Sequence, residues 1–200
     1  MAEAFNLLRE NDLIWFFVIN NYLMGRDPSA FDLLYWNSDS TRMPATMQSF
    51  YLRNMYHRNV LRNPGGITLA NVPIDLRKIE APIYFLSARE DHIAPWRSTY
   101  AGTRLMSGPV RFVLGASGHV AGVINPPSAN KYGYWIGETL PADPETWLNG
   151  AAFHQGSWWT DWAKWLAGHA GEQVPAREPG GAALAALEDA PGSYVKVRGA

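Results

Sequence analysis

The sequence predicts an α/β fold, in which a mostly parallel sheet is flanked by helices. Two apolar runs, residues 83–86 and 110–114, have the length and the branched or aromatic composition of buried strands. Residues 95–107 between them are predicted as a helix, because proline suits the first turn of a helix and Gly108 is a typical end. This order of strand, helix and strand is the main reason for the predicted fold class.

A carboxylate and a histidine follow the two predicted strands. Asp91 comes just after the first strand, and His119 comes after the second, in a turn of small residues. A histidine takes a proton from a nucleophile only when it is held in one tautomer, and a carboxylate on its far nitrogen does that. An acid and then a histidine, on loops at the carboxyl ends of strands, are typical of the C-terminal portion of an α/β-hydrolase fold. We therefore predict that Asp91 and His119 are catalytic. The alternative is a solvated acid and an unrelated turn histidine.

A nucleophile for this pair is not found in the chain. The sequence contains no cysteine and no G-x-S-x-G motif. The nearest imitation begins at Gly115 and has His119 where the second glycine would stand, so Ser117 is interpreted as part of the turn that presents the histidine. Because the nucleophile precedes the acid in this fold, we expect the chain to be the C-terminal part of a longer enzyme.

Several segments resemble class I poly(3-hydroxyalkanoate) synthases. They are YWNSDSTRMP at 35–44, SAREDHIAPW at 87–96, RFVLGASGHVAGVINPP at 111–127, HQGSWWTDWAKWLAGHAG at 154–171 and PGSYVK at 191–196. The resemblance implies an acyltransferase that polymerises (R)-3-hydroxyacyl-CoA into polyhydroxyalkanoate and releases CoA, without a cofactor or a metal. The family's acid and base fall on Asp91 and His119. Its cysteine, in a G-x-C-x-G box, has no counterpart here, so we expect the chain to be inactive alone.

The resemblance, a turn at residues 63–66 and a shift in composition after Glu172 together predict a division of the chain. Residues 1–62 would be the rear part of a helical cap, 63–171 the C-terminal half of the hydrolase core, and 172–200 a flexible tail rich in glycine, proline and alanine. Helices are predicted over 1–24 and 44–62 from their apolar spacing. The implied partners are the acyl-CoA, the growing polyester, a polymer granule surface and a second copy of the chain.

Three further residues are weaker candidates for contact with the substrate. Asp39 would lie near the boundary of cap and core, although an Asx turn or a helix cap explains it equally well. His92 stands beside Asp91, but metal-ligand spacing is missing, and a supporting or loop-packing role is the better interpretation. Trp96 would form a wall of the pocket or, alternatively, pack in the core.

Two more helices are predicted after His119, over 144–156 and from Ser157 to Gly168. The second carries four apolar side chains on one face, namely Trp158, Trp162, Trp165 and Leu166. We expect this face to pack on the sheet. A contact surface for polymer or for a partner subunit is the alternative.

The composition excludes several classes of function. Lys and Arg number 17 and Asp and Glu 18, so the chain has no basic footprint for nucleic acid. The longest apolar stretch near the start, residues 13–19, is too short to span a bilayer, and no secretory signal precedes it. We expect a cytoplasmic protein.

Three other interpretations of the function stay open: a hydrolase of the same fold, a non-catalytic module for granule binding or dimerisation, and a truncated chain without a function of its own.

Overall fold

The computed structural model describes residues 10–28, 43–178, 180 and 184–197. The chain divides into two compact units. The first comprises Met1–Met43 and Leu187–Ala200, and the second comprises Pro44–Ala186.

In the first unit, the described part of the predicted N-terminal helix is helical. Two π-helical segments, Asn11–Trp15 and Val18–Leu23, follow each other with two helical residues between them. Neither segment contains glycine or proline, and Gly25 beyond them has a φ of 65°, a left-handed conformation that ends a helix. A short 3-10 turn, Ser193–Lys196, lies near the other end of the chain.

The second unit contains short helices and two sheets. The helices are α1 (Ala45–Tyr51), α2 (Trp96–Gly102), α3 (Pro144–Gly150) and α4 (Trp159–Ala167), with a π-helical segment at Leu52–His57 and 3-10 turns at Val60–Arg62, Leu76–Lys78 and Pro127–Ala129. The strands are β1 (Thr68–Leu69), β2 (Val72–Pro73), β3 (Ile83–Ala88), β4 (Val110–Gly115), β5 (Gly133–Ile136) and β6 (Ala152–Gln155). The unit is therefore of the α/β class, as the sequence predicted.

The larger sheet has the strand order β3-β4-β5-β6. Strands β3 and β4 run parallel, with α2 as the connection between them, whereas β4–β5 and β5–β6 are antiparallel pairs. The sheet in the described part of the chain is therefore mixed. The expectation of a mostly parallel sheet holds only for the β3–β4 pair, because β5 and β6 each pair antiparallel with the strand before them.

Helices cover both faces of the parallel pair. The alternation of side chains along β3 and β4 places Phe85 and Phe112 on one face and Tyr84 and Arg111 on the other. The first face meets the aromatic core, in which Phe85 packs against a buried cluster of Trp96, Tyr100, Phe112, Leu114 and Trp147. The second face meets α4 and the residue before it, since the rings of Trp158 and Trp165 lie 6.2 and 5.4 Å from the Tyr84 ring. The prediction that the tryptophan-rich helix packs on the sheet is confirmed for these two side chains.

Two helices are shorter in the structure than the sequence predicted. The helix predicted over 95–107 ends at Gly102, and the helix predicted over 144–156 ends at Gly150 and is followed by β6. All four residues of β6 are exposed. Their sequence does not alternate between apolar and polar residues, which is the pattern that predicts a half-buried strand. Its ladder with β5 is what defines it. In the part of the chain that the structure describes, no helix is long and apolar enough to cross a membrane.

Candidate active site

The loops after β3 and β4 are joined by backbone hydrogen bonds. The amide of Arg89 donates to the carbonyl of Gly115 at 2.8 Å, and the amide of Glu90 donates to the carbonyl of Ser117 at 3.0 Å. Because the two strands are parallel, their carboxyl ends lie at the same edge of the sheet. Asp91 and His119, which follow these loops, are therefore brought to one place.

Asp91 and His119 form a hydrogen-bonded pair. The distance between Nδ1 of His119 and Oδ2 of Asp91 is 2.7 Å. The other carboxylate oxygen, Oδ1, accepts hydrogen bonds from the amides of Ile93 at 2.8 Å and Ala94 at 2.9 Å. The Asp91 side chain is 7% exposed, whereas the His119 side chain is 47% exposed. The carboxylate is thus enclosed and fully engaged, while the imidazole faces outward.

These contacts favour the ionised form of Asp91 and one tautomer of His119. Burial raises the pKa of Asp91, but the hydrogen bonds from Ala94, His119 and Ile93 together outweigh burial and hold that pKa below its ordinary value. An ionised carboxylate can only accept, so Nδ1–H of His119 donates. In the neutral form of the ring, the other nitrogen, Nε2, is then the one that can accept a proton. This is how a carboxylate and a histidine are arranged in catalytic triads.

The loop that carries His119 is a compact turn. The amide of Gly122 donates to the carbonyl of Gly118, and the amide of Ile124 donates to the carbonyl of Val120, each at 2.8 Å. Gly122 has no room for a side chain, since an added Cβ would lie 2.7 Å from the Gly118 carbonyl oxygen and 2.8 Å from Cβ of Ala88. Ser117 has a φ of 77°. As the sequence predicted, Ser117 belongs to the turn that presents the histidine.

A polar network fixes α4 against the sheet beside this loop. Asp161 accepts hydrogen bonds from the hydroxyl of Tyr84 and from Nε of Arg111, both at 2.9 Å. The Asp161 side chain is 13% exposed and that of Arg111 is 35% exposed. Burial, and next the negative charge of Asp161, raise the pKa of Tyr84, so its hydroxyl stays protonated and donates. Sequence reasoning missed this network, because nothing local to Asp161 indicates which strand residues it will meet.

Of the three weaker candidates, the structure describes Trp96 and His92. Trp96 is buried in the core, where its ring lies 6.4 Å from those of Tyr100 and Trp147, so its surroundings are those of a packed core aromatic. His92 lies in the exposed turn beside Asp91. Asp39 lies outside the described residues. Sequence reasoning also missed the two amides that hold Asp91, although an aspartate in a turn is a signal for bonds from the amides that follow it.

Among the described residues, no group of three or more histidine, aspartate or glutamate side chains is placed to hold a metal ion. The candidate site thus consists of a hydrogen-bonded carboxylate and histidine at one edge of the sheet.

Comparison with known proteins gives this pair a family context. No protein-family model matches the chain. The chain is 50% identical over 200 residues to the poly(3-hydroxyalkanoate) polymerase subunit PhaC of Cupriavidus necator, a match that covers 99% of this chain and 34% of that protein. It is 52% identical to the poly(3-hydroxyalkanoate) polymerase of Methylorubrum extorquens, covering 99% and 33%, and 52% identical to the PhaC subunit of Rhizobium meliloti, covering 99% and 32%.

The chain is thus a homologue of poly(3-hydroxyalkanoate) polymerases, and the resemblance predicted from its sequence is confirmed. It spans about a third of the length of the curated relatives that it matches.

Proposed function

We propose that the chain supplies the acid and the base of an acyl-transfer site in a poly(3-hydroxyalkanoate) polymerase of the α/β-hydrolase fold. The observation that carries the proposal is the 2.7 Å contact between His119 and Asp91 at the edge of the parallel strands. The names of the homologues supply the substrate class. The 200 residues contain no cysteine, so the proposed nucleophile is not among them, and we expect no turnover from this chain by itself.

In the proposed reaction His119 acts through Nε2. That nitrogen takes the proton of the cysteine thiol, and the thiolate attacks the thioester carbonyl of a 3-hydroxyacyl-CoA. The C–S bond to CoA breaks, the CoA thiolate takes the proton from the imidazolium, and the acyl group is left on the cysteine. The hydroxyl of the next monomer must then lose its proton to a base as it attacks the acyl–cysteine thioester. An ester bond forms, the C–S bond to the cysteine breaks, and the released thiolate takes the proton back from that base, so the polyester is one unit longer.

Two roles of Asp91 are compatible with the chemistry. It could orient His119, or it could take the proton of the 3-hydroxyl of the incoming monomer. Both carboxylate oxygens already accept hydrogen bonds, and the side chain is almost fully enclosed. A lowered pKa also makes it a weak base. These observations support the orienting role, and we propose that His119 is the base in both half-reactions.

The test requires a complete polymerase, made by replacing the matching segment of the Cupriavidus necator relative with this chain. His119→Gln should abolish acylation, measured as CoA release in a single turnover. Asp91→Asn should slow acylation and elongation together. Glu90→Gln, the neighbouring exposed carboxylate, is the matched control and should leave both unchanged. An unimpaired acylation rate in His119→Gln would refute the proposal. Normal acylation with lost elongation in Asp91→Asn would refute the orienting role.

The remaining parts of the proposal extend the expectations drawn from the sequence and its resemblance. The substrate is an acyl-CoA thioester, and no cofactor is needed, because the thioester itself provides the driving force. Residues 1–62 would belong to the cap, 63–171 to the core and 172–200 to a tail. His92 and Asp39 are retained as weaker candidates for substrate contact, and Trp96 as the least favoured. We propose a cytoplasmic enzyme that works at the polymer granule surface, as a homodimer.

A second candidate function, a module that binds polymer without catalysis, is favoured by one observation. Trp162 on α4 is 40% exposed and lies next to the similarly exposed Leu166 on that helix. Exposed aromatic surface is typical of binding sites. Sedimentation of the purified chain with polymer particles would support this function. Loss of that binding in Trp162→Ser would locate it on α4, and an unchanged bound fraction would exclude α4.

A further inference from the structure

The loop that carries His119 is held by two indole groups of α4 and the residue before it. Nε1 of Trp158 donates to the carbonyl oxygen of Val123 at 3.1 Å, and Nε1 of Trp159 donates to the same oxygen at 3.0 Å. A carbonyl oxygen has two lone pairs and can accept both bonds at once. Two adjacent tryptophans thus bind one backbone oxygen of this loop.

Val123 is placed to transmit this hold to the histidine. It lies four residues after His119, within the turn closed by the Gly122–Gly118 and Ile124–Val120 hydrogen bonds. The start of the same loop is fixed separately, since the carbonyl of Ser117 accepts from the amide of Glu90. The loop is therefore tied at one end to the aspartate loop and at the other end to the two indoles.

The two indoles are themselves fixed. The Trp158 ring lies 6.2 Å from that of Tyr84 on β3 and 6.2 Å from that of Trp162. The amide of Trp159 is bound by the hydroxyl of Ser157, which is buried. Asp161, one turn further along α4, is bound by two side chains of the sheet. The donors therefore belong to a segment that is bound to the sheet and to its own neighbours at several points.

We infer that Trp158 and Trp159 are positioning residues for His119. By binding the Val123 carbonyl, they keep the imidazole at the distance from Asp91 at which Nδ1–H is shared with the carboxylate. The inference rests on the proposed catalytic function of that pair. Nothing local in the sequence predicts it, because the helix and the loop are separated by 35 residues along the chain.

The first test measures loop order in this chain by amide hydrogen exchange at Gly122 and Ile124. Trp158→Phe and Trp159→Phe each remove one donor but keep an aromatic ring, so each should speed exchange by about threefold or less, because the other indole still binds the oxygen. The double variant should speed exchange by about tenfold and broaden the Nδ1–H signal of His119. Trp162→Phe, on the same helix, is the matched control and should change neither.

Strand amides in β4 report whether the whole unit has loosened, so the effect must be larger in the loop than there. If the double variant fails to fold, 3-benzothienylalanine at positions 158 and 159 keeps the shape of tryptophan and removes only the N–H group. Exchange at Gly122 and Ile124 equal to that of the unmodified chain would overturn the inference.

The second test uses the complete polymerase. The double Phe variant should lower kcat by about tenfold and leave KM unchanged, because the indoles bind the loop and not the substrate. If His119→Gln is inactive while the double variant keeps the full kcat, the positioning role is wrong and the proposed function stands. If His119→Gln is itself fully active, the proposed function is wrong, whatever the indoles do.

Discussion

Replacing Asp91 with Asn should reverse the tautomer of His119. The new side chain has one oxygen and one NH₂ group, and its orientation is not free. The amides of Ile93 and Ala94 both donate to the Oδ1 position, so the oxygen of Asn must stay there. The NH₂ group must therefore face Nδ1 of His119 and donate to it. A proton on Nδ1 would then meet another donor, so Nε2 carries the proton and can no longer accept one.

The size of the effect follows from these two contacts. A hydrogen bond to a charged carboxylate favours the Nδ1–H tautomer by about 1.5–3 kcal/mol, and in the variant a neutral hydrogen bond favours the other tautomer by about 0.5–1.5 kcal/mol. The free energy of the competent tautomer therefore rises by about 2–4.5 kcal/mol, which lowers its population, relative to the other tautomer, about 30- to 2,000-fold. The acylation rate of a complete polymerase should fall by a similar factor.

Nitrogen-15 NMR of the labelled His119 ring in this chain is the direct assay. In the pH range where the ring is neutral, the unmodified chain should show a protonated Nδ1 and an unprotonated Nε2, and Asp91→Asn should show the reverse. Glu90→Gln is the control and should retain the original pattern. A protonated Nδ1 in the Asn variant would refute the reasoning, because it would mean that the amides of Ile93 and Ala94 do not fix the side-chain orientation.

Three further predictions concern the unit around the site. Because the pKa of Asp91 is lowered in the folded state, its ionisation stabilises the fold fully above the ordinary carboxyl pKa of 3.8, and this contribution is lost as the pH falls through the lower folded-state pKa. Urea unfolding from about pH 6 to 2 should therefore show a smaller decrease in the free energy of unfolding for Asp91→Asn than for the unmodified chain. An equal decrease in both would contradict this prediction. Gly122→Ala should lower the free energy of unfolding by about 1–3 kcal/mol and displace the histidine loop. Gly150→Ala is the control and should be neutral or slightly stabilising, because a Cβ there meets nothing within 4 Å. Equal melting temperatures for the two variants would show that the loop can adjust to the added methyl group. Asp161→Ala should lower the free energy of unfolding by about 2 kcal/mol, because the half-buried Arg111 loses its carboxylate, and a double-mutant cycle with Arg111→Met should give a coupling energy well above about 0.5 kcal/mol.

The acid–base pair was the part of the site most open to prediction. Asp91 and His119 were singled out because each follows a short apolar strand, and strand ends are marked by local composition. Two strands joined by a helix are expected to run parallel, so both loops lie at one edge. The structure brings the two residues together as the sequence predicted, while their catalytic role stays a prediction. The missing cysteine was equally readable, since it requires only the composition.

The mixed strand directions of the sheet could not be predicted from the sequence. Strand β6 is an exposed edge strand, and what defines it is its antiparallel ladder with β5, not a pattern within Ala152–Gln155. Ladder energies come from pairing between segments, so a short strand with little apolar alternation carries almost no signal of its own. For this reason the helix predicted over 144–156 was wrongly extended through the residues of β6.

The sequence by itself determined which residues could act as acid and base, because their types and order are written in the chain. Only the tertiary structure decided how they are held. The two amides on Asp91 fix which oxygen faces His119, and they thereby fix the tautomer. The Val123 carbonyl meets two indoles 35 and 36 residues away, and Tyr84 meets Asp161 across 77 residues. Such contacts depend on how a helix and a sheet pack face to face, and no local pattern specifies that geometry.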